Sequence, residues 1–157
     1  KDDRGIEVEA AFAVNENIII GGSYTRLQAF YTSNAVSTVG TLLYDGHTLP
    51  RSPEHQYNVF VDGEWDLWGG QLSSRVNYQW QDEFYFDPSN NPEVLEDGHG
   101  LLGAFASWES PTGFSVSVYG KNLTDEDYRL HVIKNVGIGF SVFGPPREFG
   151  VALTQRF

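Results

Sequence analysis

The sequence predicts an all-β chain, a stretch of antiparallel, up-and-down β-barrel wall that crosses a membrane. Its composition is rich in residues that favour strands, with 11 Phe, 8 Tyr and 4 Trp in 157 residues. Apolar side chains recur at every second position, as in Phe149, Val151 and Leu153, so a strand here has one apolar and one polar face. Short turns also alternate with much longer connections, as they do in outer-membrane barrels.

Seven strands are predicted along the chain. The first carries Ile6, Val8 and Ala10 on one face and ends at the turn Asn15-Glu16-Asn17. The second has an ambiguous phase, because all of Ile18–Ile20 is apolar. The seven predicted strands are 5–14, 18–31, 55–62, 65–86, 99–109, a strand that begins at Phe114 and a strand that closes at Phe157.

The third and fourth strands are predicted to form a hairpin around Asp62-Gly63, because an Asp-Gly pair is a strong turn signal. The fourth strand has the clearest alternation, which continues to Phe84 on the same side as Trp80. Gly69-Gly70 is expected inside this strand, where glycine indicates a bend or a close approach. At ~3.3 Å per residue such a strand would project beyond the bilayer.

The last three strands are separated by one short turn and one long loop. Ser110-Pro111-Thr112-Gly113 is the predicted turn between the fifth and sixth strands, and 130–146 is a predicted loop with strand-like ends. Two further long connections, 32–52 and 87–97, are rich in loop-forming residues and contain proline.

Composition and residue spacing exclude several classes of protein. The longest apolar runs, such as Ile18–Ile20, are far shorter than the ~20 residues of a membrane helix. A net charge of −11 argues against nucleic-acid binding, which requires a basic surface. The four His residues lack metal-ligand spacing and no catalytic constellation is present. We therefore expect no enzyme activity, no metal site and no cofactor.

Alternation alone does not say which face of the sheet lies inside the barrel. The terminal aromatic residue, the unequal connections and the strand lengths favour lipid against the apolar face and water against the polar face. Aromatic residues near the short turns would then form one interfacial belt. These residues are Trp65, Trp68, Trp108, Phe114 and Phe157.

The C-terminal segments FSVSVYGKNLTDEDYR and GPPREFGVALTQRF resemble the closing strand pair of TonB-dependent outer-membrane receptors. Upstream, LPRSPEHQYNV at 49–59 is similar to the entry into a descending strand of the same family. Gln155 departs from the pattern, which has an aromatic residue there. The matching residues are Asn122, Leu123, Asp125, Tyr128, Gly144, Pro145, Pro146, Arg147, Gly150 and Phe157.

The resemblance implies an outer-membrane receptor that imports a scarce small-molecule solute, by default a ferric siderophore, in a process coupled to the TonB complex through a plug domain. Because seven strands cannot close a barrel and unpaired edges are untenable in lipid, residues 1–157 are expected to be the C-terminal portion of a barrel of about 22 strands. The plug domain is expected to lie outside this chain. The resemblance also implies a periplasmic C-terminus and assembly by the barrel-assembly machinery through the last strand.

Solute binding in such a receptor is expected in the lumen and the long loops, where aromatic, basic and amide side chains are available. The lumenal residues Arg75 and Glu83 are expected to face the plug. The candidate solute-binding residues are Tyr44, His47, Arg51, Tyr85, Asn91, His131 and Lys134.

Two other classes of protein fit the same pattern. A stand-alone small outer-membrane barrel, structural or adhesive, would need an eighth strand and would fold alone in detergent. A soluble β-barrel carrier would bury the apolar face around a ligand.

Overall fold

A computed structural model describes residues 2–33, 35–37, 40–42, 44–135 and 138–156 of the chain. Seven long strands form one sheet, and short strands lie in the connections between them. In chain order the strands are β1 Asp2–Ala13, β2 Ile18–Phe30, β3 Ala35–Ser37, β4 Gly40–Leu42, β5 His55–Leu67, β6 Gly70–Gln81, β7 Phe84–Tyr85, β8 Leu95–Glu96, β9 His99–Glu109, β10 Phe114–Lys121, β11 Arg129–Asn135, β12 Ile138–Phe143 and β13 Glu148–Gln155.

The large sheet is antiparallel throughout and has the order β1-β2-β5-β6-β9-β10-β13. Each long strand therefore pairs with the next long strand along the chain, which is up-and-down topology. The predicted all-β, antiparallel, up-and-down fold and the number of long strands are confirmed. Among the described residues the only helical element is a single 3-10 turn at Pro92–Val94, and no helix is long and apolar enough to cross a bilayer.

The register separates the side chains into two faces. Val61 lies opposite Val76, and Val118 opposite Val151, so these residues belong to what we call the apolar face. Ser107 lies opposite both Ser73 and Ser117 on the other side, which we call the polar face. The pairing also settles the phase of the second strand: Ile20 shares the apolar face with Val61, whereas Ile19 lies opposite Asp62 on the polar face.

The apolar face has no second layer of protein against it in the described part of the chain. Val151 is 70% exposed and Leu153 68% exposed, and Ile6, Val8 and Phe12 are similarly open. A soluble carrier would bury these side chains, since contiguous apolar surface is costly in water. The apolar side chains of the described sheet are therefore arranged as in a barrel wall whose apolar side meets an apolar environment.

The two ends of the sheet differ. At what we call the turn end, consecutive strands are joined by short segments at 14–17, 68–69 and 110–113. At the opposite loop end, the connections are 31–54, 82–98 and 122–147. Trp65 and Trp108 flank Leu72 in the register at the turn end, where the aromatic belt was predicted. Phe157 lies outside the described residues.

The predicted hairpin around Asp62-Gly63 is wrong. These residues lie inside β5, which continues to Leu67, and the turn is formed by Trp68 and Gly69. Both turn residues have positive φ, 55° and 72°, as a tight two-residue β-turn requires. Gly63 is needed for a different reason, because the Trp65 ring lies over its Cα and leaves no space for a side chain.

The predicted fourth strand is consequently too long at both ends. The strand β6 is Gly70–Gln81, so Gly69 belongs to a turn and only Gly70 to the strand. Phe84 does not continue the alternation, since it lies in a connection and is buried there. The connections also contain small hairpins of their own, β3–β4, β7–β8 and β11–β12, where the sequence predicted loops.

Candidate functional site at the loop end

A small apolar core lies in the connections at the loop end, outside the large sheet. Val94 is 1% exposed and packs with Phe84 and Phe86 from the same connection and with Val132 from β11. The rings of Phe84 and Phe86 meet edge to face with centroids 5.0 Å apart, a favourable aromatic geometry. This core ties the β6–β9 connection to the β10–β13 connection.

Arg51 joins all three connections. Its backbone N–H donates to the Tyr85 carbonyl at 2.8 Å, and its side-chain Nη2 lies 3.0 Å from the Leu130 carbonyl and 2.8 Å from His131 Nδ1. The guanidinium also lies over the Phe86 ring, 5.3 Å from its centroid. A planar guanidinium suits such a position because it can stack and donate at once.

A buried ion pair adds a second link between connections. Glu96 is 4% exposed, and its carboxylate accepts from the Arg129 backbone N–H at 2.8 Å and from Arg129 Nε at 2.7 Å. Arg129 also donates to the Leu95 carbonyl. Next to this pair, buried His99 stacks on Tyr128 with centroids 4.9 Å apart. Buried carboxylates require this number of partners, since an unpaired charge is costly there.

A third link joins the first and second connections. Asn90 exchanges two hydrogen bonds with the backbone of Thr48, at 2.7 and 3.1 Å. His47 Nδ1 lies 2.9 Å from the Pro88 carbonyl, and its ring stacks at a tilt beside Tyr44. Residues from three separate connections therefore form one assembly at the loop end.

A cavity of about 720 Å³ lies under this assembly, on the polar face of the sheet. Its strand-borne lining is neutral and capable of hydrogen bonding, and its loop-borne lining is cationic and aromatic. Arg51 has no carboxylate partner among the described residues, so its positive charge is available at the cavity. The polar lining residues are Ser23, Thr25, Arg51, Gln56, Asn58, Gln79, Gln81, His99, Tyr128 and Arg129.

Asn58 supplies a further feature of the cavity. Its side-chain Oδ1 is buried and has no hydrogen-bond partner in the described structure. A buried acceptor of this kind is rare, because leaving it unpaired costs free energy. A donor from a neighbouring part of the protein or from a ligand would satisfy it.

Glu54 lies beside the loop end on the opposite side of the sheet. Hydrogen bonds from Arg26, at 2.8 and 3.0 Å, and from Gln28, at 3.3 Å, lower the pKa of its carboxyl group below the ordinary value, with the positive charge of Arg26 adding to the effect. The Leu27 backbone N–H donates to the Glu54 carbonyl at 2.8 Å. Glu54 thus anchors the end of the first connection to β2.

The residues that carry the C-terminal motif come together where β10 leaves the sheet. Buried Asn122 donates from Nδ2 to the carbonyls of Glu126 and Pro145, at 2.9 and 3.1 Å, and so closes the long loop on itself. The Arg147 N–H donates to Asp125 Oδ1 at 2.9 Å. Asn122 and Asp125 both have positive φ, which these two residue types tolerate best after glycine.

The remaining motif residues pack around this closure. Leu123 donates through its N–H to the Leu102 carbonyl at 2.9 Å. The Tyr128 ring lies over Gly144, and the Tyr119 ring lies over Gly150, so neither glycine has space for a side chain. Pro146 is exposed beside them. The motif residues therefore stabilise the connection between β10 and β13.

All seven predicted solute-binding residues lie at the loop end, but they differ in whether they line the cavity. Arg51 alone of them lines the cavity. His131 binds Arg51, and Tyr85 accepts the Arg51 N–H through its carbonyl, so these two organise the cavity's edge. Lys134 forms an ion pair with Glu93 on the outer surface, and exposed Asn91 donates to Ser89 Oγ at 2.9 Å. Tyr44 and His47 lie in the loop assembly described above.

The prediction missed the strand-borne amides of the cavity, Gln56, Asn58, Gln79 and Gln81. Their signal was present, because they lie on the polar side of the alternation at strand ends next to the long connections. His99, at the start of β9, is buried beside the cavity. Among the described residues no group of His, Cys, Asp or Glu is placed to hold a metal ion.

The predicted plug-facing residues also differ from each other. Arg75 lies on the polar face, where its guanidinium donates to both carboxylate oxygens of Asp62, at 2.5 and 2.6 Å, and stacks over Phe60 at 4.8 Å. Glu83 is exposed in the second connection, just beyond the end of β6.

These features define a class of protein. An up-and-down sheet with an open apolar face, a polar face with a cavity and long connections at one end is part of the wall of a membrane β-barrel. Within the described residues, the edge strands β1 and β13 each pair on one side only, as expected where further strands of a barrel would pair.

The family model for TonB dependent receptor-like β-barrels matches residues 3–123, and the chain belongs to this family. It is 25% identical to the ferrichrome outer membrane transporter/phage receptor of Escherichia coli K12 and 27% identical to the pesticin receptor of Yersinia pestis, over 98% and 96% of the chain. It covers 20% and 21% of those relatives, about a fifth of their length.

The fold is likewise found in a solved structure, the ferric yersiniabactin uptake receptor of Yersinia pestis. The TM-score is 0.82 at 22% sequence identity, with 95% of this chain and 22% of that chain covered. The described sheet therefore has the fold of one part of a receptor barrel in the outer membrane.

Proposed function

We propose that the chain is the C-terminal portion of the barrel of an outer-membrane receptor that imports a ferric siderophore in a process coupled to TonB. The observation that carries this proposal is the cavity on the polar face, placed under three connections that are fastened to one another. Membership of the family supports it, and so does the likeness to a ferrichrome outer membrane transporter/phage receptor and to a ferric yersiniabactin uptake receptor. The role is transport, not catalysis.

The chemistry of the cavity supports a solute that is rich in oxygen atoms and carries negative charge. Gln56, Gln79 and Gln81 present amide groups that donate to such oxygens, and Arg51 supplies a positive charge. A guanidinium binds carboxylates and other oxyanions with particular strength. No carboxylate lines this cavity within the described residues, although the whole chain has a net charge of −11.

The proposed orientation follows from the unequal ends of the sheet. Long connections lie outside the cell and short turns in the periplasm in barrels of this class, which puts the cavity at the outer surface and the C-terminus in the periplasm. The polar face, which carries Arg75, then faces the lumen and a plug domain, and Glu83 lies just beyond the end of β6 at the loop end. The barrel-assembly machinery would engage the last strand, β13.

The experiment uses the full-length receptor that contains this chain. Binding of ferric siderophores of different charge is measured by quenching of intrinsic fluorescence, and uptake of radioactive iron is measured with and without TonB. We expect at least one anionic ferric siderophore to bind, and uptake to require TonB. Absence of binding across hydroxamate, catecholate and carboxylate siderophores, or TonB-independent uptake, would refute the proposal.

A matched pair of variants tests the cavity itself. Arg51→Gln removes the available charge and is expected to weaken binding roughly tenfold, the size of a lost hydrogen bond to a charged group. Arg156→Gln removes an exposed arginine at the turn end, far from the cavity, and should leave affinity unchanged. Equal affinities for the two variants would show that the solute does not contact Arg51.

A further inference from the structure

The contact between Arg51 and His131 fixes the protonation state of the histidine. Arg51 Nη2 lies 2.8 Å from His131 Nδ1. A guanidinium has five N–H donors and no acceptor, and it is not deprotonated in proteins. His131 Nδ1 must therefore accept this hydrogen bond, which it can do only while it carries no proton. Because a protonated imidazole has an N–H on both ring nitrogens, the contact requires His131 to be neutral.

Two other histidines of the loop end make contacts that are compatible with protonation. His47 Nδ1 lies 2.9 Å from the Pro88 carbonyl, and His99 Nδ1 also faces a backbone carbonyl, at 3.0 Å. A carbonyl can only accept, so these two Nδ1 atoms already donate. His99 Nε2 lies 3.3 Å from Gln81 Nε2, but an amide can turn and offer its oxygen. The guanidinium of Arg51 has no such alternative.

Three elements pack against His131, and only one of them brings a charge to it. The connection 31–54 contributes the Arg51 guanidinium. The connection 82–98 contributes the Phe86 ring, which meets the imidazole edge to face with centroids 6.0 Å apart. In β12, Val142 lies opposite His131 in the register. The one charged group in contact with His131 in the described structure is therefore a cation.

The nearby carboxylates are already engaged with other cations. Arg129, two residues before His131 in β11, is bound by buried Glu96 at 2.7 Å. Further along β11, Lys134 forms an ion pair with Glu93. Among the described residues no carboxylate lies within ion-pair distance of His131. A proton on His131 would thus place a second positive charge against Arg51 without a compensating anion, and like charges at contact distance repel.

We propose that His131 is a positioning residue that holds Arg51 only as the neutral imidazole, and that protonation of His131 opens the edge of the cavity. Histidine is the side chain whose charge ordinarily changes between about pH 5 and 8. The residues of β11 next to His131, Arg129 and Leu130, line the cavity. Arg51 keeps its contacts with the Leu130 carbonyl and the Phe86 ring. The opening is therefore local, and the large sheet stays intact.

The experiment measures hydrogen exchange in the full-length receptor that contains this chain, without solute, at about pH 8 and about pH 5.5. Each rate is divided by the intrinsic rate of the same peptide at the same pH, which removes the general effect of pH on exchange. We expect protection in 129–135 to fall roughly tenfold at the lower pH, the size of a lost hydrogen bond to a charged group. Protection in β1 and β2 should not change.

Three variants show whether His131 is the responsible group. His131→Asn keeps a side-chain oxygen as acceptor but does not titrate, so the difference in protection between the two pH values should disappear. Arg51→Gln removes the obligate donor and the positive charge, and should abolish the same difference. His47→Asn is the matched control, because it removes a loop-end histidine whose contact tolerates protonation. This control should retain the difference.

Every outcome bears on the proposal. Equal protection of 129–135 at the two pH values would overturn it, and so would a difference that persists in His131→Asn or Arg51→Gln or that is lost in His47→Asn. If His131→Asn fails to assemble, Arg51→Gln and the unmodified receptor still decide. The use of the opening to admit solute rests on the proposed function. Siderophore binding at pH 8 tests that function separately, because the exchange experiment contains no solute.

Discussion

The membrane-crossing part of the sheet and the loop end are stabilised in different ways. Along the strands, Val151 and its neighbours on the apolar face are exposed and, in the described part of the chain, have no protein partner beyond the sheet, so their contribution to stability depends on the solvent around them. At the loop end, Val94 and Glu96 are buried by the chain itself. The comparison teaches that the strands are held together by backbone hydrogen bonds while their apolar side chains depend on the surrounding solvent. The connections at the loop end are stabilised by their own buried side chains.

The sharpest test of this contrast is a charge placed on the apolar face. Val151→Arg is expected to lower the free energy of unfolding of the full-length receptor in lipid by ~2–4 kcal/mol, since a guanidinium near the bilayer midplane is poorly solvated. Ala152→Arg is the matched control, one residue along β13 on the polar face. Equal losses at the two positions, measured by denaturant titration in vesicles, would reverse the assignment of the faces.

The loop end is tested by removing one partner of its buried ion pair. Glu96→Gln keeps the shape but leaves the Arg129 guanidinium without a charged partner, and is expected to cost ~1–3 kcal/mol. The loss should be local, with faster hydrogen exchange in residues 82–98 and 129–135 and unchanged exchange in β1 and β2. Faster exchange throughout the sheet would show that the loop end is not a separate unit.

A smaller effect is expected at the turn of Trp68 and Gly69, which joins β5 to β6 in place of the predicted turn at Asp62-Gly63. Gly69→Val puts a β-branched residue at φ 72°, and is expected to cost ~1–2 kcal/mol because L-residues avoid the left-handed region. Gly46→Val, at φ 81° in the first connection, has similar backbone geometry in the loop end and serves as comparison. Thermal unfolding of both variants should show whether a tight turn is less tolerant than a long connection.

The smallest effect is the pH dependence of the link between Glu54 and β2. Because hydrogen bonds lower the pKa of Glu54 in the folded state, its contribution is present above its ordinary pKa of 4.5 and is lost as the pH falls through the lowered value. The difference in melting temperature between the unmodified receptor and Glu54→Gln should therefore be present at neutral pH and vanish in acid. A difference that is constant with pH would contradict this role.

The sequence predicts the long strands well where alternation is clean and turn signals are unambiguous. The bounds of β9 agree with the prediction, and the Ser110–Gly113 turn follows it directly. The β5–β6 turn could not be predicted, because Asp62-Gly63 carries a turn signal that tertiary contacts override. Asp62 binds Arg75, and Gly63 accommodates the Trp65 ring, neither of which is visible in local sequence.

For the loop end, the position of the candidate binding region could be predicted from the sequence, but the folding of its connections could not. Long connections with aromatic and basic residues indicate a binding region, and the cavity lies there. Its internal hairpins and contacts depend on residues far apart in sequence, such as Arg51 and His131. Local patterns carry no signal for such pairs. The sequence therefore indicates Arg51 as a candidate solute-binding residue but not its contacts with the other two connections.

The fastening of three connections through Arg51 has a consequence for engineering. A chimaera that takes one loop-end connection from a relative would contain only one side of each shared contact: residues 31–54 supply the guanidinium, while residues 82–98 and 122–147 supply the ring and the acceptors. Recognition specificity should therefore be transplanted by exchanging the three segments as one cassette.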